Sequence, residues 1–261
     1  MSVPQVVKFN NYTLQDASFI SQIIQHAQAP DRIVQVEQRA RDDGGTVVNA
    51  LYSQRVITVK GNLFAATRAA LDAKIDEFKQ YLTGVNSIEG NLDIDFNGVT
   101  RRYIATVQKL NIPEDFYNIT YVPYEVEFLC SLPFGMDTAS GIVNLPGRTS
   151  SLSLAITVSG TYQSKPAFKV TVNSATLFNL FTIINTTRNE TINVSQTGMS
   201  FQPGDVIVVD ASVKRVYVNG SGLDYSGIFP QLNPGVNNLT INITATAVNY
   251  DFAVQNMAKY L

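Results

Sequence analysis

Asp93, Asp95 and Asn97 alternate ahead of Gly98, the spacing with which a calcium loop opens: oxygen ligands at every second position, then a sharp glycine turn. The rest of such a loop is missing. Ile104 stands where a bidentate Glu belongs, and Arg101 and Arg102 put positive charge inside the would-be site. Ile94 and Phe96 alternate with the two acids, so Asn97-Gly98 reads instead as a two-residue hairpin turn. Other acid pairs, Asp72/Asp76 and Glu125/Glu127, have the composition of general acid–base couples for glycoside hydrolysis. Each lies opposite an apolar stripe at the repeat of its own element, which is the pattern of a solvated face.

Nucleophilic chemistry finds little to work with. His26 is the one histidine and Cys130 the one cysteine, too few for a His/Cys metal centre, and no serine sits in a Gly-x-Ser-x-Gly elbow. Cys130 shares the apolar side of a strand with Phe128 and Leu132, where a thiol is buried and inert. Gly220-Ser-Gly222 lacks the further glycine and following helix of a dinucleotide loop. The residues therefore predict no catalytic group, cofactor or metal.

Composition narrows the class. The chain has 261 residues, 45% of them hydrophobic, enough for a sizeable core, but only 15% charged. A formal net charge of -2 offers no long-range attraction to phosphate, so sequence-specific nucleic-acid binding is not expected. Met-Ser-Val-Pro-Gln lacks the basic start and apolar run of a signal peptide, and no stretch is apolar over a membrane-spanning length, so no membrane insertion is expected. The Asn-x-Ser/Thr triplets at Asn118, Asn185, Asn189, Asn219, Asn238 and Asn242 read as strand and turn composition.

The elements that would position these residues are mostly strands. Alternation of period two marks Tyr124–Leu132 and Leu239–Ala247 most clearly. Further strands are expected near Val3–Phe9, Arg32–Gln38, Thr46–Lys60, Ile88–Phe96, Val99–Leu110, Leu152–Val158, Ala167–Asn173 and Phe178–Asn185, with Val206–Val209 buried on both faces. One helix, about residues 65–83, carries Leu71, Ile75, Phe78 and Leu82 on one face, widened by Ala70, and Gly84 is placed to cap it in a left-handed conformation. Gly135–Ser151 has no sustained period and reads as a linker between domains at 1–140 and 141–261. The apolar end of the chain, 249–261, is expected to pack, in a place the periodicity does not reveal.

The richest segment is Phe201–Asn237. Pro203-Gly204-Asp205 makes a turn into a strand ending at Asp210, a second strand ends on Asn219-Gly220, and Phe229-Pro-Gln-Leu232-Asn-Pro234-Gly235-Val-Asn237 makes a tight corner before a third. Its polar residues shape backbone. This order of Gly-Asp, strand, Asp, strand, Asn-Gly and Phe-Pro-x-Leu-x-Pro-Gly-x-Asn resembles the second half of distal tail proteins of long-tailed bacteriophages. Upstream, Arg101-Arg102-Tyr103-Ile104-Ala105 and the run from Glu127 to Pro133-Phe134 are similar to the family's first domain.

The resemblance implies a mostly β chain with one prominent helix: an N-terminal α+β sandwich-type ring domain, then a galectin-like all-β sandwich. It implies a structural virion protein, not an enzyme, forming a hexameric ring at the distal end of the tail after synthesis in the host cytoplasm. Its partners would be itself, the tail tube protein, the tail-tip or baseplate hub protein and receptor-binding proteins. Two surfaces are candidates for subunit contact: the glycine-led segment around Arg41 and Arg55, and the outer helix face at Arg68, Asp72 and Lys79. The alternative is a galectin-like sugar-binding module for host attachment. It has no Trp to stack a sugar and would rely on Tyr162, Tyr217 and Tyr225.

Overall fold

The computed structural model describes residues 6–14, 19–24, 28–40, 43–84, 89–96, 98–113, 120–176, 178, 180–195, 200–245 and 247–261. His26, Arg41, Asn97 and Asn118 lie outside them. The chain divides into two compact units, residues 1–138 with Leu261, and residues 139–260.

The first unit runs β1 (Val6–Phe9), β2 (Tyr12–Thr13), β3 (Phe19–Ile24), β4 (Arg32–Gln38), β5 (Gly45–Tyr52), β6 (Arg55–Phe64), α1 (Arg68–Thr83), β7 (Gly90–Phe96), β8 (Val99–Asn111), β9 (Tyr121–Cys130) and β10 (Gly135–Met136). Antiparallel pairing orders the main sheet β2-β1-β7-β8-β9-β6-β3, with β10 beside β8. Three strand steps separate β1 from β9, about 14 Å in a flat sheet. Yet the Phe9 and Phe128 rings lie 5.2 Å apart, so the sheet curls over its own core. β9 alternates without a break, burying Val122, Tyr124, Val126, Phe128 and Cys130. The strand stops at Cys130, and Leu132, read as part of that apolar face, is exposed.

α1 starts at Arg68 because Thr67 caps it, extended at φ -138 with its hydroxyl accepting from Ala70 N at 3.3 Å. Leu71, Phe78 and Leu82 are buried and Phe78 packs on Tyr124 with centroids 4.8 Å apart, which lays the helix on the sheet. Ala70 faces solvent and does not widen the stripe. Gly84 is not left-handed: its φ is -63, and its N–H donates to Gln80 O at 3.0 Å. Glycine suits the position because a Cβ there would strike that same carbonyl oxygen.

Thr46–Lys60, read as one strand, is two. Ser53-Gln54 breaks it, with Ser53 N donating to Asp31 O at 2.8 Å, and β5 leaves the main sheet to pair, among the described residues, with β4 alone.

The second unit is a sandwich of two antiparallel sheets. One is ordered β11 (Gly141–Arg148), β21 (Ala247–Asn256), β13 (Ala167–Thr176), β16 (Val206–Asp210), β17 (Arg215–Val218), β18 (Ser221–Gly222). The other is ordered β12 (Leu152–Val158), β20 (Gly235–Thr244), β14 (Leu180–Asn185), β15 (Glu190–Ser195), β19 (Tyr225–Gly227). Their inner faces share one core, with Phe178, Phe181 and Phe201 clustered at its centre. The supposed linker is therefore largely an edge strand, and the apolar chain end is an inner one: β21 pairs with β11 and β13 and buries Tyr250, Phe252 and Val254. β16 is buried on one face only, through Ile207 and Val209, while Val206 and Val208 are half-buried. No helix among the described residues is long and apolar enough to cross a membrane.

Candidate functional site

The β4–β5 hairpin projects as an arm, and its chemistry is unusual for a free surface. All seven residues of β4 are exposed, and β5 is exposed except at Ala50 and Tyr52. Ile33 pairs with Leu51 on one side and Val34 with Ala50 on the other, so apolar groups occupy both faces. Ile33 is 65% exposed and Leu51 60%, and Val36, Val47 and Val48 are exposed too. Val36 pairs with Val47 and Gln35 with Asn49, which leaves Val48 in a bulge that adds twist. A two-stranded ribbon is marginal in water by itself, and a contiguous apolar patch of this kind marks a contact surface.

At the arm's root the Arg32 guanidinium lies 5.3 Å over the Tyr52 ring, and Tyr52 meets Phe134 edge-on at 5.9 Å. Arg55, expected on a contact surface, is instead interior. It is 4% exposed and donates to Gln28 O at 2.7 Å and Tyr103 Oη at 3.3 Å. Its long stem starts at the inner end of β6, where the alternation of that strand turns it inward. Arg68, Asp72 and Lys79 do face solvent. Arg68 and Asp72 pair at 2.9 Å one helical turn apart, and all three line a groove of about 370 Å³ with Ile75, Asp76, Ile112, Pro113 and Val122.

In the second unit the motif residues hold one another. Asp205 accepts from Gln202 N and from Asn219 Nδ2, both at 2.7 Å, while Asn219 Oδ1 accepts from Val206 N at 2.9 Å. The turn at Gly204 (φ 94) and the hairpin at Asn219-Gly220 (φ 50 and 83) are thereby tied together. Asp210 accepts from Ser212 N at 2.8 Å and its hydroxyl at 2.6 Å, closing the loop into β17. Asn237 is fully buried; it donates to Asn233 O and Gly235 O and accepts from Asn233 N, which pins the Pro234-Gly235 corner. Leu232 and Phe229 are buried beneath it.

A second clamp on this corner carried no sequence signal. Glu190 accepts from Gln231 N at 2.7 Å and Arg188 Nε at 2.8 Å, Arg188 reaches Asn233 at 2.6 Å, and Asn185 donates to Gln231 O. Gln231 and Asn233 lie 41 to 46 positions from Glu190, Arg188 and Asn185, and the pairing of β14 with β20 and of β15 with β19 brings them close.

The acids weighed for chemistry are engaged structurally. Asp93 takes a two-point contact from Arg102, both bonds 2.7 Å, and Asp95 caps its hairpin through Gly98 N at 3.0 Å and Thr100 at 3.2 Å. Glu125 pairs with Lys60 at 3.1 Å and Glu127 with Lys109 at 3.6 Å. The Cys130 thiol is buried and pushed up to about 12 by burial, against a smaller opposing effect of Arg55. Among the described residues no group of three or more His, Cys, Asp or Glu is placed to hold a metal. Of the tyrosines considered for sugar stacking, Tyr225 packs edge-on against Phe229 at 4.8 Å and donates to Lys214 O. What this arrangement can do is present faces and edges from two rigid supports.

Residues 159–253 match the family model described as siphovirus-type tail component, C-terminal domain. No curated protein sequence matches the chain. Among solved structures it is similar to the SPP1 Dit (gp 19.1) protein, described as a paradigm of the hub adsorption apparatus in phages infecting Gram-positive hosts. That likeness has a TM-score of 0.73 at 15% identity and covers 98% of this chain and 99% of that one. It is also similar to a chain of the phage p2 baseplate in its activated conformation with Sr, at TM-score 0.50 and 7% identity over 96% and 97% of the two chains. Residues 159–253 are thus similar to a siphovirus-type tail component, C-terminal domain, and the chain as a whole has the fold of the SPP1 Dit protein.

Proposed function

We propose that this protein is a structural ring component at the distal end of a long phage tail. Its first domain, 1–140, forms a closed homo-hexameric ring, and its second, 141–261, is a galectin-like sandwich displayed from it. The ring joins the tail tube protein to the tail-tip or baseplate hub and to receptor-binding proteins, and DNA passes through it unread. The protein is not catalytic, is made in the host cytoplasm and resides in the virion.

One observation carries the reading: the β4–β5 arm exposes apolar side chains on both faces. A subunit with a projecting arm meets its neighbour through two different surfaces, and such heterologous contacts close into rings when the rotation allows. The exposed helix face at Arg68, Asp72 and Lys79 is a candidate for the opposing side. Native mass measurement with negative-stain imaging of the full chain tests this. A six-fold ring is expected; a lone subunit at every concentration, with no affinity for tail components, would overturn it.

A further inference from the structure

We propose that Tyr52, Arg55 and Phe134 are positioning residues that clamp the root of the β4–β5 arm and set the direction in which it leaves the sheet. The consequence for assembly rests on the reading of the arm as a contact with a second copy of this chain; the clamp itself does not.

Two stretches of chain meet at Tyr103 of β8, and a third joins them through Arg55. From the near side of the arm comes Gln28, whose carbonyl accepts from Arg55 Nη2 at 2.7 Å. From the far side comes Arg55 itself, donating to Tyr103 Oη at 3.3 Å with its guanidinium 5.6 Å from that ring's centre. One buried cation thus ties both feet of the arm to the sheet. The other stretch at Tyr103 is Pro133-Phe134-Gly135. Gly135 sits so close to Tyr103 that a Cβ would lie 2.9 Å from its hydroxyl and 3.0 Å from the ring, and next to it Phe134 meets Tyr52. Ser53 N to Asp31 O closes the neck between the feet.

Among the described residues Arg55 makes no ion pair with a carboxylate. A buried guanidinium held by a carbonyl and a hydroxyl is a poor source of stability. It does have a strong geometric preference, because its planar fork fits few arrangements of acceptors. The aromatic edge contact fixes the remaining freedom, the swing of β5 about Ser53.

Hydrogen exchange of the full chain, read segment by segment, tests the clamp. Phe134→Leu and Arg55→Lys are expected to speed exchange in 32–38 and 45–52 about tenfold, and to raise the concentration for half-assembly about tenfold. Tyr52→Leu, which removes the other half of the ring contact, should do the same. Leu92→Ala, in the core away from the arm, should lower the melting temperature without faster arm exchange. Arm exchange at the parental rate in both Phe134→Leu and Arg55→Lys would overturn the clamp. A double variant of the arm faces, Ile33→Asp with Leu51→Asp, separates the two readings. If it stays assembled, the arm is not the contact and exchange alone judges the clamp. If it disassembles while Phe134→Leu and Arg55→Lys both assemble normally with slow exchange, the clamp fails and the arm reading stands.

Discussion

Asn237 shows what the conspicuous polar residues of this chain do. Its amide makes three hydrogen bonds inside a tight corner and touches no solvent. Truncation leaves the Asn233 N–H and two carbonyls without their partner, at about 1–3 kcal/mol for a buried group so stranded. Asn237→Ala is therefore expected to lower unfolding free energy by about 3 kcal/mol in urea titration. Cys130 makes a second residue-scale case. Its folded pKa is raised to about 12, above the ordinary thiol value, so the folded state holds a proton that the unfolded chain releases earlier. The contribution is full below about pH 9 and is lost as pH rises toward 12, so Cys130→Ala should flatten the alkaline fall in stability. In the native protein at neutral pH the thiol should not react with a disulfide reagent.

At the scale of elements the arm and the sheets obey opposite rules. β9 buries every second side chain, whereas β4 buries none. Because Ile33 and Leu51 are already in water in the lone subunit, replacing both with Asp should change its melting free energy by less than about 1 kcal/mol. The same change should abolish self-association in light scattering. A large loss of subunit stability would mean that these side chains pack within their own chain.

The whole molecule rests on two separate apolar cores, one under the curled sheet and helix, one between the two sheets of the sandwich. Leu92 belongs to the first and Phe178 to the second. Leu92→Ala and Phe178→Ala should each cost about 2–5 kcal/mol, and their effects should add within about 0.5 kcal/mol in calorimetry, since the two share no cluster. Strong non-additivity would show that the two units unfold as one coupled body.

What could be read without coordinates was what depends on near neighbours along the chain. Period-two alternation marked β9 and β20, a 3.6-residue stripe marked α1, and the glycines at 98, 204, 220 and 235, all at positive φ, marked the turns. These signals are local because side-chain direction and backbone dihedrals are set within a few residues. The resemblance to distal tail proteins was carried by the same turn chemistry. Partnership was not legible. The alternating apolar residues of β4 and β5 resemble any half-buried strand, and only tertiary pairing showed that no sheet or core among the described residues covers them. Arg55 looked like a surface charge until Gln28 and Tyr103 enclosed it. The stretch around Gly141 and the chain end became strands because β21 found both β11, more than a hundred residues away, and β13, some seventy to ninety away. Burial is a property of what comes back from far along the chain, and that is decided only when the sheets close.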